Sequence, residues 1–291
     1  MKKTIFILAS IFMAFALFAQ TEEKKFNIFG SGQTFKLSPV TDGILLGSGV
    51  LFSGSSYICS FALDSKKPAF DGNILDKSKV NELDQIFMQP YSKTLHIVGT
   101  ATLAGALCTP ALLAFSPSEE WMTVGIMYLE SLMFAYGMKE YAKFLITRAR
   151  PYMYFDGYPQ DKVDDGDWCK SFPSGHTTMA FASATFTSFV FSRYFPDSPW
   201  RWAVTGGSYA LAIGTGILRL CSGNHFLTDV LTGATLGTIC GFVIPWIHTF
   251  YAGNNSANNA ESGYTGTGSA SKNKAPTLEI TPLSVGVGFR F

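Results

Sequence analysis

Six apolar segments dominate the pattern of hydrophobic and polar positions along the chain. They cover about residues 43–63, 95–115, 121–146, 177–195, 202–218 and 226–251. Most of them approach the roughly 20 residues that a helix needs to cross the apolar core of a bilayer. Glycine and serine weaken the first segment, and the fourth is rich in threonine and serine, which suits a helix packed against other helices. The pattern predicts an all-α, six-helix bundle embedded in a membrane.

Composition supports this prediction. The chain is 47% hydrophobic and only 15% charged, whereas about 25% charged residues is usual for soluble domains. A soluble all-helical core with unusually apolar helices remains the alternative. The net charge of +1 argues against a nucleic-acid partner, because such proteins carry a basic surplus that neutralises phosphates.

The first 19 residues are typical of an export signal. Lys2 and Lys3 precede an apolar run at 5–18, and cleavage after Ala19 is plausible, although Leu17 is larger than the residue preferred near a cleavage site. An uncleaved anchor therefore remains an alternative. We predict a protein of the bacterial inner membrane with four parts: a signal peptide at 1–19, a polar segment at 20–42, a helical domain at 43–251 and a tail at 252–291.

Two polar stretches lie outside the apolar segments. The loop at 64–92 is charged and predicted to be solvated, with a short surface helix indicated by Leu83, Ile86 and Phe87 and ending before Pro90. The tail is rich in Asn, Ser, Gly and Thr, which predicts disorder at 252–275. It ends in an alternating pattern at 285–291 that favours a short strand.

The five cysteines lack the spacing of a metal site. Three lie in apolar runs, as small buried hydrophobic residues do. Cys169 and Cys221 lie near the motifs described next, and a disulfide between them is an alternative if that face is outside the cytosol.

A first polar motif closes the third apolar segment. Lys143, Thr147 and Arg150 are spaced to share one helical face, and Pro151 then turns the chain away. These cations could bind an anion. Alternatively, together with Arg148, they only extend towards the membrane surface.

A second motif opens the fourth segment. Ser174 is well placed as a helix N-cap, and Gly175 lets the backbone approach a ligand. A helix N-terminus attracts phosphate through its free N–H groups and its dipole. His176 would project from the first turn towards such a ligand. The alternative is an ordinary capped helix with a surface histidine.

A third motif joins the fifth and sixth segments. Arg219 ends one helix, Gly223 permits a tight turn, and His225 and Asp229 lie four residues apart. That spacing would let Asp229 accept a proton from one imidazole nitrogen and leave the other nitrogen as a nucleophile. A purely structural His–Asp pair is the alternative.

The three motifs together indicate a single site more strongly than each does alone, because six crossings bring all their helix ends to one side of the bundle. Three cations and two histidines gathered beside apolar helices indicate a shared anion, and phosphate fits best. The other two histidines, His96 and His248, have no carboxylate near them in the sequence and are predicted to be structural.

The order and spacing of the motifs resemble the type 2 phosphatidic acid phosphatase superfamily, whose signature is K-x6-R-P, P-S-G-H and S-R-x5-H-x3-D. The resemblance covers about residues 95–251, and Leu218 departs from it because the pattern has serine there. Carried onto this chain, it implies a phosphohistidine formed on His225, which Asp229 orients, with His176 protonating the leaving oxygen. It also implies a set of groups that stabilise charge on the phosphate: Lys143, Arg150, Ser174, the Gly175 N–H and Arg219.

The predicted function is therefore a phosphatase without metal or cofactor that hydrolyses a lipid phosphate or lipid pyrophosphate. Candidate substrates are phosphatidate, phosphatidylglycerol phosphate, undecaprenyl pyrophosphate and a lipid A phosphate. A periplasmic non-specific acid phosphatase, a vanadium haloperoxidase and a non-catalytic phosphate-binding, transport or scaffold protein are alternatives. Six crossings after a cleaved signal would put the site in the cytoplasm. The family resemblance and the weak first segment favour a site that faces the periplasm.

Overall fold

The computed structural model describes residues 33–63 and 70–262, and within these ranges the fold is helical without a β-strand. The signal segment and the terminal strand predicted from the sequence lie outside the described residues. Eight α-helices follow one another in this described part of the chain: α1 (Pro39–Leu63), α2 (Glu82–Gln85), α3 (Lys93–Leu107), α4 (Trp121–Leu145), α5 (Gln160–Asp164), α6 (Gly175–Tyr194), α7 (Trp200–Cys221) and α8 (Leu227–Ser262). The six long helices, α1, α3, α4, α6, α7 and α8, correspond to the six apolar segments. The prediction of an all-α six-helix bundle is confirmed.

Helix α6 lies at the centre and packs against α3, α4, α7 and α8. Most of its side chains are buried, and they are largely Ala, Ser and Thr, as predicted for a helix surrounded by other helices. Their hydroxyls bond back to the same helix, for example Thr187 Oγ1 to the Ser183 carbonyl at 2.8 Å. Small side chains let the neighbours approach closely, because lipid gives helices no hydrophobic reason to associate.

Glycines on α8 allow that close approach. A Cβ atom at Gly233 would lie 2.6 Å from the Ser174 carbonyl oxygen, and one at Gly241 would lie 2.3 Å from the Ala182 carbonyl oxygen. Both distances are far below van der Waals contact, so only glycine permits this helix packing. The contact fixes the start of α8 against the start of α6, where two of the polar motifs lie.

Helix α1 is continuous in spite of its glycines and serines. It packs against α4, where Ser53 Oγ donates to the Met133 carbonyl at 2.7 Å and Ser55 shares a hydrogen bond of 2.6 Å with Tyr141. Phe52 lies against Gly137 of α4. The hydroxyls that weaken the apolar pattern therefore find partners on a neighbouring helix.

Among the described residues, two helical stretches, Lys93–Phe115 and Leu227–Thr249, are long and apolar enough to cross a membrane. Only 22% and 39% of their most apolar windows are buried inside the protein, whereas the core helix of a soluble protein would be mostly buried. Large apolar side chains on other helices are also exposed, including Leu51, Ile58 and Leu129. This exposed apolar surface favours a membrane protein.

Two predictions about the polar stretches need correction. The short helix before Pro90 exists as α2, capped by Asn81, but the loop is not simply solvated, because Asp84 is fully buried. The tail was predicted to be disordered from residue 252, whereas α8 continues to Ser262. A packed helix extends readily, since each added residue gains one hydrogen bond without a new nucleus.

Candidate active site

The polar motifs meet at one end of the bundle, where backbone hydrogen bonds join them. Arg148 N donates to the Cys169 carbonyl at 3.0 Å, and Ser171 N donates to the Arg148 carbonyl at the same distance. Ser174 N donates to the Asp229 carbonyl at 3.0 Å. The end of α4, the start of α6 and the start of α8 are thereby held in one framework. The prediction that all motif ends lie on one side is confirmed.

His225 lies at the centre of this framework and is almost fully buried. Its Nδ1 is 2.7 Å from the Ser171 carbonyl oxygen, and its Nε2 is 3.0 Å from Arg150 NH1. A carbonyl can only accept a hydrogen bond and a guanidinium can only donate one. The proton of the neutral ring is therefore on Nδ1, and Nε2 carries a free electron pair that faces the cations.

Burial lowers the pKa of His225 well below its ordinary value, and the nearby charges of Arg150, Arg219 and Lys143 lower it further. The imidazole is consequently neutral at physiological pH. A neutral ring with a defined tautomer is the form in which a histidine can act as a nucleophile.

Asp229 does not make the predicted direct hydrogen bond to His225. Its Oδ2 lies 3.7 Å from Nδ1, and it accepts hydrogen bonds from Ser171 Oγ at 2.5 Å and from Phe226 N at 2.9 Å. The carboxylate thus acts on the ring through its negative charge and through Ser171, whose carbonyl contacts Nδ1. It would form an ion pair with the imidazolium once His225 becomes protonated.

Arg148 and Asp84 extend this network, and no pattern in the sequence indicated their role. Arg148 NH1 donates to Asp229 Oδ1 at 2.5 Å, and Arg148 NH2 donates to Asp84 Oδ2 at 2.6 Å. Asp84 also accepts from the backbone N and the hydroxyl of Thr228, at 2.9 and 2.7 Å. The alternative in which Arg148 only extends to the membrane surface is therefore wrong.

Asp84 is an anion in this position. Burial raises the pKa of Asp84, but the hydrogen bonds from Thr228, Asn81 and Arg148 outweigh burial and hold the pKa below its ordinary value. The loop that carries α2 is thereby tied to the first turn of α8, next to Asp229.

Arg150 is 4% exposed and is held by four contacts. Besides His225, it donates to the carbonyl of Asn224 at 2.8 Å, and to the carbonyl and Oδ1 of Asp167 at 2.9 and 2.7 Å. Burial raises the pKa of Asp167, but Arg150 and Lys162 outweigh burial and lower it well below its ordinary value. This carboxylate positions the guanidinium that faces His225 Nε2.

Gly175, in the first turn of α6, lies against two lysines of α4. A Cβ atom at Gly175 would lie 3.1 Å from Lys139 Cδ and 3.5 Å from Lys143 Nζ, so the backbone of the first turn of α6 lies directly against both lysines. Ser174 is the N-cap residue as predicted, but its hydroxyl bonds to Thr177 Oγ1 at 2.8 Å and does not cap the helix. Lys139, which pairs with Glu140, was not identified from the sequence.

Arg219 brings His96 into the site. Arg219 NH1 lies 3.2 Å from His96 Nδ1, and the ring centroids of His96 and His176 are 6.3 Å apart. His176 Nε2 is 3.2 Å from Thr100 Oγ1, one turn further along α3. Arg219 Nε is buried without a hydrogen-bond partner, which is a donor available to an oxyanion. His96, which was predicted to be structural, therefore lies at this end of the bundle beside Arg219 and His176.

The surroundings of His248, the second histidine predicted to be structural, also differ from the prediction. His248 was predicted to have no carboxylate nearby, whereas its Nε2 lies 3.0 Å from Glu130 Oε2. This pair is far from the motifs. The cysteines at 169 and 221 are both free thiols, so the alternative of a disulfide between them is wrong for this structure.

Leu218 replaces the serine of the motif pattern and packs against α3, where a Cβ atom at Gly99 would lie 3.2 Å from Leu218 Cβ. A hydroxyl there would supply one neutral hydrogen bond, worth about 0.5–1.5 kcal/mol. We expect Leu218→Ser to change kcat/KM by no more than about tenfold, measured beside the wild type on one substrate. A gain of a thousandfold would instead identify the natural protein as a weakened catalyst that mainly binds its ligand.

Comparison with known proteins agrees with this geometry. Residues 125–252 match the PAP2 superfamily, and all three motifs lie in this range. A lipid A 1-phosphatase of Porphyromonas gingivalis is 32% identical over 155 residues, which are 53% of this chain and 29% of that protein. The bacitracin transport permease protein BcrC of Bacillus licheniformis is 38% identical over 86 residues, which are 30% of this chain and 37% of that protein. The segment at 125–252 is therefore similar to the PAP2 superfamily.

Two solved structures are similar to the chain. The crystal structure of LpxE from Aquifex aeolicus gives a TM-score of 0.40 at 22% identity and covers 56% of this chain and 92% of that one. The crystal structure of the first transmembrane PAP2-type phosphatidylglycerolphosphate phosphatase from Bacillus subtilis gives a TM-score of 0.40 at 19% identity. The match covers 71% of this chain and 93% of that one. The chain spans about a third of the length of the curated relatives that it matches.

Proposed function

We propose that this protein is a phosphatase that hydrolyses a lipid phosphate or lipid pyrophosphate through a phosphohistidine on His225. The observation that carries the proposal is the tautomer of His225. Its Nδ1 proton is committed to the Ser171 carbonyl at 2.7 Å, and its Nε2 faces Arg150 at 3.0 Å. A phosphate held by Arg150 would have its phosphorus next to the nitrogen that carries the free electron pair.

The surrounding groups suit both steps of such a reaction. In the first, His225 Nε2 forms a bond to phosphorus while the bond to the alcohol oxygen breaks, and His176 gives that oxygen a proton. In the second, His176 takes a proton from water, which displaces His225 and releases inorganic phosphate. Four groups would stabilise the charge on the transferred phosphoryl oxygens. They are Lys143, Arg150, Arg219 and the N–H of Gly175.

Three aspartates lie around the site, and each of them forms an ion pair with an arginine. Asp84 and Asp229 bind Arg148, and Asp167 binds Arg150. Ligands for Mg²⁺ are carboxylates free to face the metal and its water, and these carboxylates face guanidinium groups. The donor set supports catalysis by side-chain cations rather than by a metal ion.

A lipid substrate is supported by the surface beside the site. Leu83, Ile86 and Phe87 of the α2 region are 49%, 70% and 41% exposed, and Asp84 between them is anchored at the site. Apolar residues exposed at this end would meet the bilayer from which a lipid enters. The match to a lipid A 1-phosphatase puts a lipid A phosphate first among the candidate substrates.

The test is an assay of purified full-length protein in detergent against phosphatidate, phosphatidylglycerol phosphate, undecaprenyl pyrophosphate and lipid A. Release of phosphate from at least one lipid, faster than from a short soluble ester, would support the proposal. Equal rates on soluble esters would indicate a non-specific acid phosphatase. Phosphate binding without turnover would indicate a binding or transport protein.

We expect orthovanadate to inhibit competitively, because its five-coordinate adduct with His225 would mimic the transition state. Arg150→Ala and Arg219→Ala should each weaken vanadate binding and lower kcat by about 10²–10³-fold. Inhibition constants and kcat are measured for both variants. Arg193→Ala serves as the control, because Arg193 is an exposed arginine at the opposite end of the bundle. An arginine variant that binds vanadate normally but loses activity would show that its role is misassigned.

We also propose that the chain lies in the inner membrane with the site facing the periplasm. The signal-like N-terminus favours export, and α1 is not among the helices apolar enough to span on their own. Helix α1 runs beside α4 from the end opposite the site, so after a cleaved signal it would put the site in the cytoplasm. The periplasmic orientation requires the start of α1 to lie on the cytoplasmic side.

Single cysteines in a cysteine-free variant would test this orientation. Asp165 is exposed at the site end and Asp197 at the opposite end. With the outer membrane opened, Asp165→Cys should react with a membrane-impermeant maleimide in intact cells, and Asp197→Cys should react only after the inner membrane is permeabilised. The reverse pattern would put the site in the cytoplasm.

A further inference from the structure

A second polar cluster lies at the end of the bundle opposite the phosphate site. It consists of Asp42 in the first turn of α1, Glu130 in α4 and His248 in α8. His248 follows Asp229 by 19 residues on the same helix (248 − 229), which corresponds to about 28 Å along the axis. Glu130 and His248 are fully buried and Asp42 is 7% exposed. Nothing in the proposed phosphatase reaction uses these groups.

The hydrogen bonds within the cluster leave it incomplete. His248 Nε2 is 3.0 Å from Glu130 Oε2, and Nδ1 is 3.2 Å from the Lys36 carbonyl and 3.5 Å from Asp42 Oδ1. Glu130 Oε1 and Asp42 Oδ1 are buried without a hydrogen-bond partner. One imidazolium supplies a single positive charge against two carboxylates. A buried carboxylate oxygen with no partner is costly, and more so among apolar helices.

The three side chains offer the ligands of a divalent transition metal. One donor atom from each can be chosen so that all lie within 4.8 Å of one another. Bonds from Zn²⁺ to nitrogen and oxygen are about 2.0–2.2 Å, so two ligand atoms in a tetrahedral site are about 3.4 Å apart. The side chains would therefore have to close by about 1 Å to bind the ion. One imidazole with carboxylate oxygens suits Zn²⁺ or Mn²⁺ and lacks the soft thiolates that select Cu(I).

We propose that Asp42, Glu130 and His248 bind one structural divalent metal ion of the Zn²⁺ or Mn²⁺ type. The two positive charges of the ion balance both carboxylates while the imidazole stays neutral. The unpartnered carboxylate oxygens then coordinate the ion. The ion ties the start of α1 to α4 and α8. The same junction is already joined by the bond from Lys36 N to the His248 carbonyl at 3.2 Å and by the fully buried Phe35 ring.

The test uses tag-free full-length protein in detergent. Elemental analysis after dialysis against metal-free buffer should find about one equivalent of metal per chain. Removal of that metal with a chelator should lower the thermal unfolding temperature by about 5 °C, and Zn²⁺ or Mn²⁺ should restore it. Co²⁺ in place of the native ion should give a visible d–d absorption band. These readouts do not depend on turnover, so they are independent of the phosphatase proposal.

Variants then locate the ion. Asp42→Asn and His248→Gln should each lose most of the bound metal and the Co²⁺ band. Asp197→Asn is the matched control, because Asp197 is an exposed acid at the same end of the bundle, and it should keep both. If the wild type retains no metal and neither the chelator nor added ions shift its unfolding temperature, the cluster shares protons instead and the proposal is wrong. Metal retained equally in all variants would place the ion elsewhere and would also overturn it.

Discussion

Replacing His225 by glutamine is expected to abolish turnover, with a loss of about 10⁴-fold or more in kcat. Glutamine keeps a polar group of similar reach but has no nitrogen electron pair that can attack phosphorus. The wild type should also form a phosphoprotein intermediate that survives alkali and breaks down in acid, as a phosphohistidine does. We expect rapid-quench experiments with ³²P-labelled substrate to detect this species in the wild type and not in the variant.

His96→Gln is the matched control for this experiment. His96 is also a histidine of the site and contacts Arg219 at 3.2 Å, but the proposed reaction gives it no part in bond formation. We expect its kcat to fall by about tenfold at most, the net worth of one hydrogen bond, with the phosphoprotein still formed. Labelled protein in His225→Gln, or turnover within tenfold of the wild type, would contradict the phosphohistidine mechanism.

Asp229→Asn is expected to lower kcat by about 10³-fold or more, with a smaller change in KM. By analogy, exchange of a triad aspartate for asparagine costs about 10⁴-fold. Here the carboxylate lies 3.7 Å from His225 Nδ1, so its charge would stabilise the imidazole as positive charge develops in the proposed phosphorylation. Asparagine removes that charge, and it disturbs the bonds from Ser171 and Arg148. Steady-state kinetics and thermal unfolding are measured together.

Asp84→Asn distinguishes a charge effect from a positioning effect. Asp84 binds the same Arg148 as Asp229, yet it contacts neither His225 nor Ser171 among the hydrogen bonds of the site. We expect its kcat to fall by about tenfold, since Arg148 keeps Asp229 in place. If both variants lose activity equally while their unfolding temperatures match the wild type, the carboxylate charge of Asp229 has no special role.

Much of the fold could be predicted from the sequence because helical periodicity and apolar length are local properties. Each apolar segment carries its own signal, and six of them produced six long helices. The Ala, Ser and Thr content of 177–195 also indicated the central helix correctly. The motifs indicated which helix ends meet, since antiparallel crossings of a bundle alternate sides. The structure places His225, Arg150, Arg219, Lys143 and Gly175 at the same end of the bundle, as this alternation predicts.

Contacts across long sequence separations could not be predicted. Asp84 looked like one charge among many in a polar loop, and its burial depends on Thr228, 144 residues away. The expected bond between His225 and Asp229 followed from helical spacing, but the Ser171 carbonyl, 54 residues from His225, takes the Nδ1 proton. Spacing along a helix shows which side chains can approach each other. It does not show which competing acceptor is nearer.

The sequence by itself determined the number of long helices, their apolar character and the residue types able to bind a phosphate. Only the tertiary structure decided which groups hold those residues in place: Arg148 and Asp84 behind Asp229, Asp167 behind Arg150, and His96 beside Arg219. It also brought Asp42, Glu130 and His248 together from three helices. The physical reason is that helix formation and amphipathicity arise from neighbours along the chain, whereas the partners of buried charges are set by how finished helices pack.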